Sequence, residues 1–552
     1  MTMKNIFFIK LLILLFIIKP ALAQPLSIDS IYQHLLITYP SYNNITYNKP
    51  STNYLIPNNW LLQTPNIWGA TLEEYGEGLT PVADNVIDAQ FFVPTCRTQS
   101  DCRGISTCKT ADFTLDNRTL CLTNAYNVLN TMYNTIINAT TSVDITTLGR
   151  DYFSSGAFTA MLQNAIITLG KKSINSPHLI TIRLLYGTYK EVPPEWMKSY
   201  LNNIISKLPT NNKLIISIAN IRSCTFKSNC GNQEKQHDIS LDFSWNHGKI
   251  IAVDGNTLIT GGENLFGQDY TQAEPVNDAN IKIFGPVVNG ATTYANILWK
   301  YVQHHRAIAV NRCYTYKKGY ISTKCAKAIS LNNEFNVNSS LPVQAMFISK
   351  LNNGIGIGDD ADQSEIARVF ALKNATRSIK ISQQALFFKE SNYPLLDKVL
   401  PPISTVNGNI IQAIAYAIHN NAVDTYIVTS NLFRFNYSDH VDLQYLYDYI
   451  LNTIVSNYHV ESKIAAQELK QHLHLAYISY NHIINTNARS HNKFWIVDDK
   501  VFYFGSHNFY PTSLQQFGII VDSIEASKIL LESYWNPMWE YSAKYNFRMN
   551  NG

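Results

Sequence analysis

Charge is scarce in this sequence. Aspartate, glutamate, lysine and arginine make up 15% of its 552 residues, and 44 basic side chains stand against 40 acidic ones. Three of the lysines, Lys4, Lys10 and Lys19, fall within the first 23 residues, where no acid occurs, so the remainder carries 41 basic against 40 acidic groups. Nor is there a lysine and arginine run of consequence. Proteins that live on nucleic acid carry a basic field, and a neutral partner suits this chain better. Long apolar runs are equally rare. The first, Ile6 to Ile18, is broken by Lys10 and followed by Lys19-Pro20-Ala21-Leu22-Ala23. It is short of the roughly twenty residues that a membrane span needs, so residues 1–23 read as a secretory signal peptide, with an uncleaved anchor as the alternative. No later segment is long enough to cross a bilayer. Cysteines number only eight, in three clusters: Cys96, Cys102, Cys108 and Cys121; Cys224 and Cys230; Cys313 and Cys325. On a secretory route this favours disulfides over metal. The last two pairs are expected bridges, and the first four allow three connectivities. Sequons at Asn44, Asn117, Asn138, Asn338, Asn374 and Asn436 fit the same route.

What the chain does have, it has twice. His247-x-Lys249-x4-Asp254 is followed by Gly261-Gly262-x-Asn264, and His491-x-Lys493-x4-Asp498 by Gly505-Ser506-x-Asn508. Three fixed positions at roughly one in twenty each give a chance copy in about one such chain in fifteen. Two copies with the same downstream offset are not coincidence. Each reads as a hairpin: Ile250 to Val253, a turn at Asp254-Gly255-Asn256, then Thr257 to Thr260; and Phe494 to Val497, a turn at Asp498-Asp499, then Val501 to Phe504. Alternation places His247 with Lys249, and His491 with Lys493, on one face of a strand, and the returning strand brings Asn264 or Asn508 alongside. A lone histidine at a strand end is ordinarily a satisfied polar residue; the pairing is what makes these four candidates for chemistry.

Splitting a phosphodiester takes a nucleophile at phosphorus, an acid for the leaving alcohol and fixed positive charge for the equatorial oxygens. Two histidines divide the first two tasks, one attacking as neutral imidazole and the other donating a proton. Two lysines and two asparagines hold the charge, so no metal or other cofactor is expected. Neither half suffices alone, and the site belongs between them. Asp254 and Asp498 complete the candidate catalytic set but stand at turns, where aspartate is favoured for backbone reasons. Gly261, Gly262 and Gly505 read as places of close backbone approach. His304-His305 and His472-Leu473-His474 lack further ligands at metal-site spacing and read as surface or core residues.

These motifs resemble the phospholipase D superfamily, and the likeness to secreted bacterial-type members extends through Trp60-Leu61-Leu62-Gln63-Thr64-Pro65, Trp245-Asn246-His247, Pro275-Val276-Asn277-Asp278, Gly285-Pro286, Ile381-Ser382-Gln383-Gln384 and Tyr510-Pro511 to Phe517-Gly518. The resemblance implies that His247 is the nucleophile, His491 the general acid, and Lys249, Lys493, Asn264 and Asn508 the phosphate ligands. It also implies an acidic residue after each motif to orient that motif's histidine. Asp278 fits the first position. The second holds Gln516, a neutral amide, from which a less basic His491 is expected.

A further repeat lies upstream. Helix-like stretches at about 123–137 and 363–373 lead into Asn138-Ala-Thr-Thr-Ser142 and Asn374-Ala-Thr-Arg-Ser378. The asparagines precede His247 by 109 residues and His491 by 117, which marks an internal duplication. Apolar segments at 213–219 and 423–429 read as buried strands and 446–455 as helix. The expected fold is therefore α/β: two pseudo-symmetric α/β/α sandwich halves, 122–310 and 361–545, with the active site at their interface. Residues 24–121 read as an N-terminal disulfide-bearing region and 311–360 as an inserted connection.

The residues carry the phosphodiester chemistry, and the resemblance implies its substrate: a secreted or endolysosomal phospholipase D acting on phosphatidylcholine-like lipids at a membrane surface, with transfer to alcohols as an accompanying reaction and no obligate protein partner. Trp245, Phe494, Trp495, Phe509 and Tyr510 are candidates to meet a quaternary ammonium or acyl chains. A nuclease of the same superfamily is the alternative. An inactive lipid-binding protein is a third reading, with Gln516 the one departure in its favour.

Overall fold

The computed structural model describes residues 25–70, 96–102, 106–115, 118–122, 125–149, 157–188, 194–224, 243–265, 270, 276–306, 308, 310–335, 337, 339–351, 354–357, 362–389, 404–430, 443–481 and 488–543. The leader reading, Pro275, Cys230 and the sequons at Asn117, Asn338 and Asn436 lie outside them. The sequons at Asn44, Asn138 and Asn374 are exposed.

In chain order the strands that matter are β1 (Asn53–Leu55), β2 (Leu61–Thr64), β3 (Ser142–Leu148), β4 (Ile180–Gly187), β5 (Leu214–Ile221), β6 (Ile250–Val253), β7 (Thr257–Gly261), β8 (Val276–Phe284), β9 (Cys313–Lys317), β10 (Leu341–Lys350), β11 (Ser378–Gln383), β12 (Asp424–Thr429), β13 (Leu473–Tyr477), β14 (Lys493–Val497), β15 (Val501–Gly505) and β16 (Gln516–Asp522). The first half pairs them in the order β5-β4-β3-β6-β7-β8, parallel up to β3 and antiparallel from β3 onward. In the second half β13-β12-β11-β14-β15-β16 repeats that order and those directions. The register repeats as well, since Ile145 pairs with Ile251 and Ile381 with Trp495, each partner four residues past its motif histidine.

β6, β14 and β15 are buried on both faces, the burial that apolar strands covered by helices require. Helices Ala125–Ile137 and Gln363–Lys373 stand at corresponding places before β3 and β11. One core runs from the first half into Phe494, Phe502, Phe504 and Phe517 of the second. Trp60 stacks on Phe502 at 5.7 Å between ring centroids, so the N-terminal segment packs onto the second half too.

Two boundaries differ from expectation. Residues 311–360 are not an insertion: β9 extends the first sheet beyond β5, and β10 pairs along all of β16. Nor do residues 24–121 form a region apart, because β2 pairs with β8, and β1 lies between β8 and β10 and so joins the two sheets. Backbone hydrogen bonds at a sheet edge are left unpaired unless another strand covers them, and these strands cover the edges that β8 and β16 present. Disulfides Cys96–Cys108 and Cys102–Cys121 settle the open connectivity, and Cys313–Cys325 is as expected. The Cys224 expectation involves Cys230, outside the described residues. Among those residues no helix is long and apolar enough to cross a membrane.

Candidate active site

Each motif strand begins at the interface and ends far from it. Lys249 stands at one end of β6 and Asp254 just beyond the other, which at about 3.3 Å per residue puts them roughly 16 Å apart. The aspartates thus take no part in a site around the histidines. Asp254 and Asp498 adopt left-handed backbone, with φ of 53° and 54°, which aspartate tolerates when its carboxylate bonds locally. The Asp254 carboxylate accepts the backbone N–H groups of Thr140, Thr141 and Ser142 and the hydroxyls of both threonines, all within 2.9 Å. Asp498 accepts from the N–H groups of Thr376, Arg377 and Ser378 in the same way. The duplicated Asn-Ala-Thr-x-Ser segments are therefore the sockets into which the motif aspartates plug. The catalytic label on Asp254 and Asp498 is corrected to a structural one.

At the other ends the motifs meet. The rings of His247 and His491 lie 6.5 Å apart between centroids; His247 is buried, and His491 keeps 17% of its side chain exposed. Their neighbours follow from a crossed backbone arrangement. The His247 N–H donates to the carbonyl of Gln515, 2.7 Å, and the His491 N–H to that of Asn277, 2.8 Å. The next residue along each of those strands, Gln516 or Asp278, consequently lies beside the histidine of the opposite half. Asp278 Oδ2 is 2.9 Å from His491 Nδ1. The expectation that Asp278 serves its own motif's histidine, and that Gln516 weakens His491, is overturned: the neutral position faces His247. There the His247 Nδ1–H donates to the backbone carbonyl of Ser506, 3.1 Å, and Gln516 Nε2 donates to that same carbonyl, 3.1 Å.

Both imidazoles thus engage Nδ1 in these bonds, which leaves Nε2 as the ring nitrogen for chemistry. Lys249 and Lys493 are buried, each donating to the carbonyl of its own histidine at 2.7 Å. Burial and the two ammonium groups hold both histidines well below the ordinary imidazole range. Burial brings Lys493 down to about 7 and pushes the Asp278 carboxyl up to about 7. Among the described residues, Asn264 Oδ1 and both side-chain polar atoms of Asn508 are buried without a protein partner. Close packing explains the glycines: a Cβ on Gly262 would sit 2.0 Å from Asp278 Oδ1, and one on Gly505 2.5 Å from Gly518 Cα.

Four residues escaped the sequence reading. Glu263, within the Gly-Gly-x-Asn segment, is buried, accepts from the Thr64 hydroxyl and from Asn280 Nδ2 at 2.5 Å, and is pushed up to about 8 by burial and by Asp278. Its position next to Asn264 was the available signal. Tyr270 reaches the Asp278–His491 pair, and Arg368 donates to the Asn508 carbonyl at 2.7 Å; only the fold brings these and Thr64 to the site. Of the aromatic candidates, Phe494, Trp495 and Phe509 are core residues, fully or almost fully buried, whereas Trp245 and Tyr510 are partly exposed. His305 stacks on Tyr301, His472 pairs with Asp424, and His474 stacks on Tyr426.

No family model matches the sequence. A phospholipase D of Streptomyces antibioticus is 24% identical over 565 aligned positions, covering 93% of this chain and 87% of that one. Among solved structures, a phosphatidylserine synthase of Haemophilus influenzae aligns over 76% of this chain and 85% of its own, with a TM-score of 0.46 and 12% identity. The phospholipase D family member Nuc of Salmonella typhimurium aligns over 34% of this chain and 91% of its own, with a TM-score of 0.21 and 16% identity.

Proposed function

We propose that this chain, which belongs to the phospholipase D superfamily, hydrolyses phosphatidylcholine-like phospholipids to phosphatidic acid and the free headgroup. The observation that carries the reading is the meeting of His247 and His491 across the interface, rings 6.5 Å apart, with Lys249 and Lys493 buried beside them. His247, kept neutral by burial and two ammonium groups, attacks phosphorus through Nε2. As the P–N bond forms, the P–O bond to the headgroup breaks, and His491, carrying the extra proton of the Asp278–His491 pair against the disfavour of burial, gives its Nε2 proton to the departing oxygen. Water, yielding its proton to the now neutral His491, then attacks phosphorus, and the P–N bond breaks to release phosphatidic acid. An alcohol in place of water gives the phosphatidylalcohol.

Lys249, Lys493, Asn264 and Asn508 receive the phosphoryl oxygens. At about 1.5 to 3 kcal/mol for each hydrogen bond to a charged group, four such donors contribute about 6 to 12 kcal/mol. Asp278 stabilises the imidazolium of His491, while His247, facing a carbonyl and an amide, gains no such support. That difference suits a proton donor at 491 and a nucleophile at 247. The lipid substrate is supported by the near balance of charge and by the Streptomyces relative's name. A secretory destination is supported by the disulfides Cys96–Cys108, Cys102–Cys121 and Cys313–Cys325.

The test incubates the full secreted protein with phosphatidylcholine vesicles and a primary alcohol, and in parallel with a single-stranded oligonucleotide, with His247→Ala as control. Phosphatidic acid and phosphatidylalcohol, both lost in the variant, are expected. Oligonucleotide cleavage without lipid turnover would assign the chain to nucleic acid instead, and no turnover of either would favour a binding protein.

A further inference from the structure

Tyr270 lies outside both motifs, and its ring is buried edge-on against Phe158, 5.8 Å between centroids. Its hydroxyl stands at a junction. It accepts the backbone N–H of Asn264 at 3.1 Å, donates to Asp278 Oδ2 at 3.4 Å, and lies 3.3 Å from His491 Nδ1. The remaining Asp278 oxygen, Oδ1, accepts the backbone N–H of Ala279 at 2.9 Å. The carboxylate is therefore held from one side by Ala279 and from the other by both Tyr270 and the imidazole.

We propose that Tyr270 is a positioning residue for the general acid, its hydroxyl keeping the Nδ1 proton shared by Asp278 and His491 on the imidazole, so that the ring stays cationic and gives its other proton, on Nε2, to the leaving group. The inference rests on the reading of His491 as acid given above. A carboxylate that loses one of its donors binds a proton more tightly. Without the tyrosine O–H the shared proton moves toward Asp278, and His491 faces the leaving oxygen uncharged. Asp278 is also faced by Glu263, Lys249, Lys493 and Tyr534, but among these groups the hydroxyl of Tyr270 is the one within reach of both members of the pair. Because the same hydroxyl takes the Asn264 N–H, it also fixes the asparagine that faces the phosphoryl group relative to the acid.

The test uses leaving groups of different need. A choline alkoxide requires protonation as it departs, whereas p-nitrophenolate does not. Full-length wild type and Tyr270→Phe are assayed on phosphatidylcholine and on bis(p-nitrophenyl) phosphate across pH. The variant is expected to shift the ratio of the two rates roughly tenfold to a hundredfold toward the p-nitrophenyl diester, a part of the roughly 10²- to 10⁴-fold that general-acid catalysis supplies, and to move the alkaline limb of the lipid profile upward. An unchanged ratio, with both rates falling together or neither falling, overturns the proposal. A wild type inactive on both diesters overturns the parent reading instead. If the phenylalanine variant does not fold, 3-fluorotyrosine at position 270 keeps every partner and strengthens the donor. It should move the alkaline limb downward, and an unmoved limb then counts against the proposal.

Discussion

Replacing Glu263 by glutamine removes one proton-binding carboxyl and almost nothing else. Glu263 is 1% exposed, and burial together with the charge of Asp278 raises it from 4.5 to about 8, against the opposing pull of the bonds from Thr64 and Asn280. A carboxyl bound more tightly to its proton in the folded state than in the unfolded one lends stability that is complete below about pH 4.5 and is lost as pH rises to about 8. At about 1.4 kcal/mol per tenfold change in proton affinity, a rise from 4.5 to about 8 corresponds to about 5 kcal/mol. Asp278, itself pushed up to about 7, shares the same repulsion, so the part removed by the substitution is about 2 to 5 kcal/mol. Glutamine preserves the packing, its Oε1 accepting from Asn280 and its amide turned to the Thr64 hydroxyl. Urea unfolding of wild type and Glu263→Gln at pH 4 and pH 8.5 isolates the effect, since titrating groups other than Glu263 and the Asp278 coupled to it cancel in the difference. The variant should gain stability relative to wild type by that amount between the two pH values. A stability difference independent of pH would refute the reasoning.

The hydrolytic rate should fall as pH rises through about 7, where the Asp278–His491 pair gives up its proton; Gln516→Asp should leave that limb in place and move the acid limb upward, because a carboxylate facing His247 makes it easier to protonate and less available as a nucleophile. An acid limb unmoved in the pH–rate profile would contradict the crossed assignment. Asp498→Ala should cost about 3 to 5 kcal/mol in the urea midpoint at constant slope, since it strands the N–H groups of Thr376, Arg377 and Ser378. Asp498→Asn, keeping one acceptor oxygen, should lose less, and a loss under about 1 kcal/mol in the alanine variant would show the socket to be dispensable.

The fold was legible because the duplication fixes register twice. The hairpins appear within a residue of their expected bounds, at Ile250–Val253 with Thr257–Gly261 and at Lys493–Val497 with Val501–Gly505. The helix 363–373 coincides with its expectation. What sequence could not carry was which half serves which histidine. Adjacency in the chain suggests that Asp278 belongs to His247, but a strand continues past its own sheet, and the backbone bond from His491 to Asn277 puts the next side chain across the interface. The inserted connection was misread for a related reason: strands such as β9 and β10 declare themselves by what they pair with, and β5 and β16, their partners, lie about ninety or more residues away and leave no local pattern. Tyr270, Arg368 and Glu263 belong with these, because a buried polar side chain is recognisable only once its surroundings are known.

The crossing has a consequence for how such a site responds to disturbance. Each histidine takes its backbone anchor and its ring partner from the half it does not belong to, so neither half contains a complete sub-site that could be preserved while the other drifts. A slip of the two sheets by even one residue would misplace both imidazoles at once. Catalytic geometry here is a reading of whether the halves are docked, and turnover is the most direct report on the integrity of the interface itself.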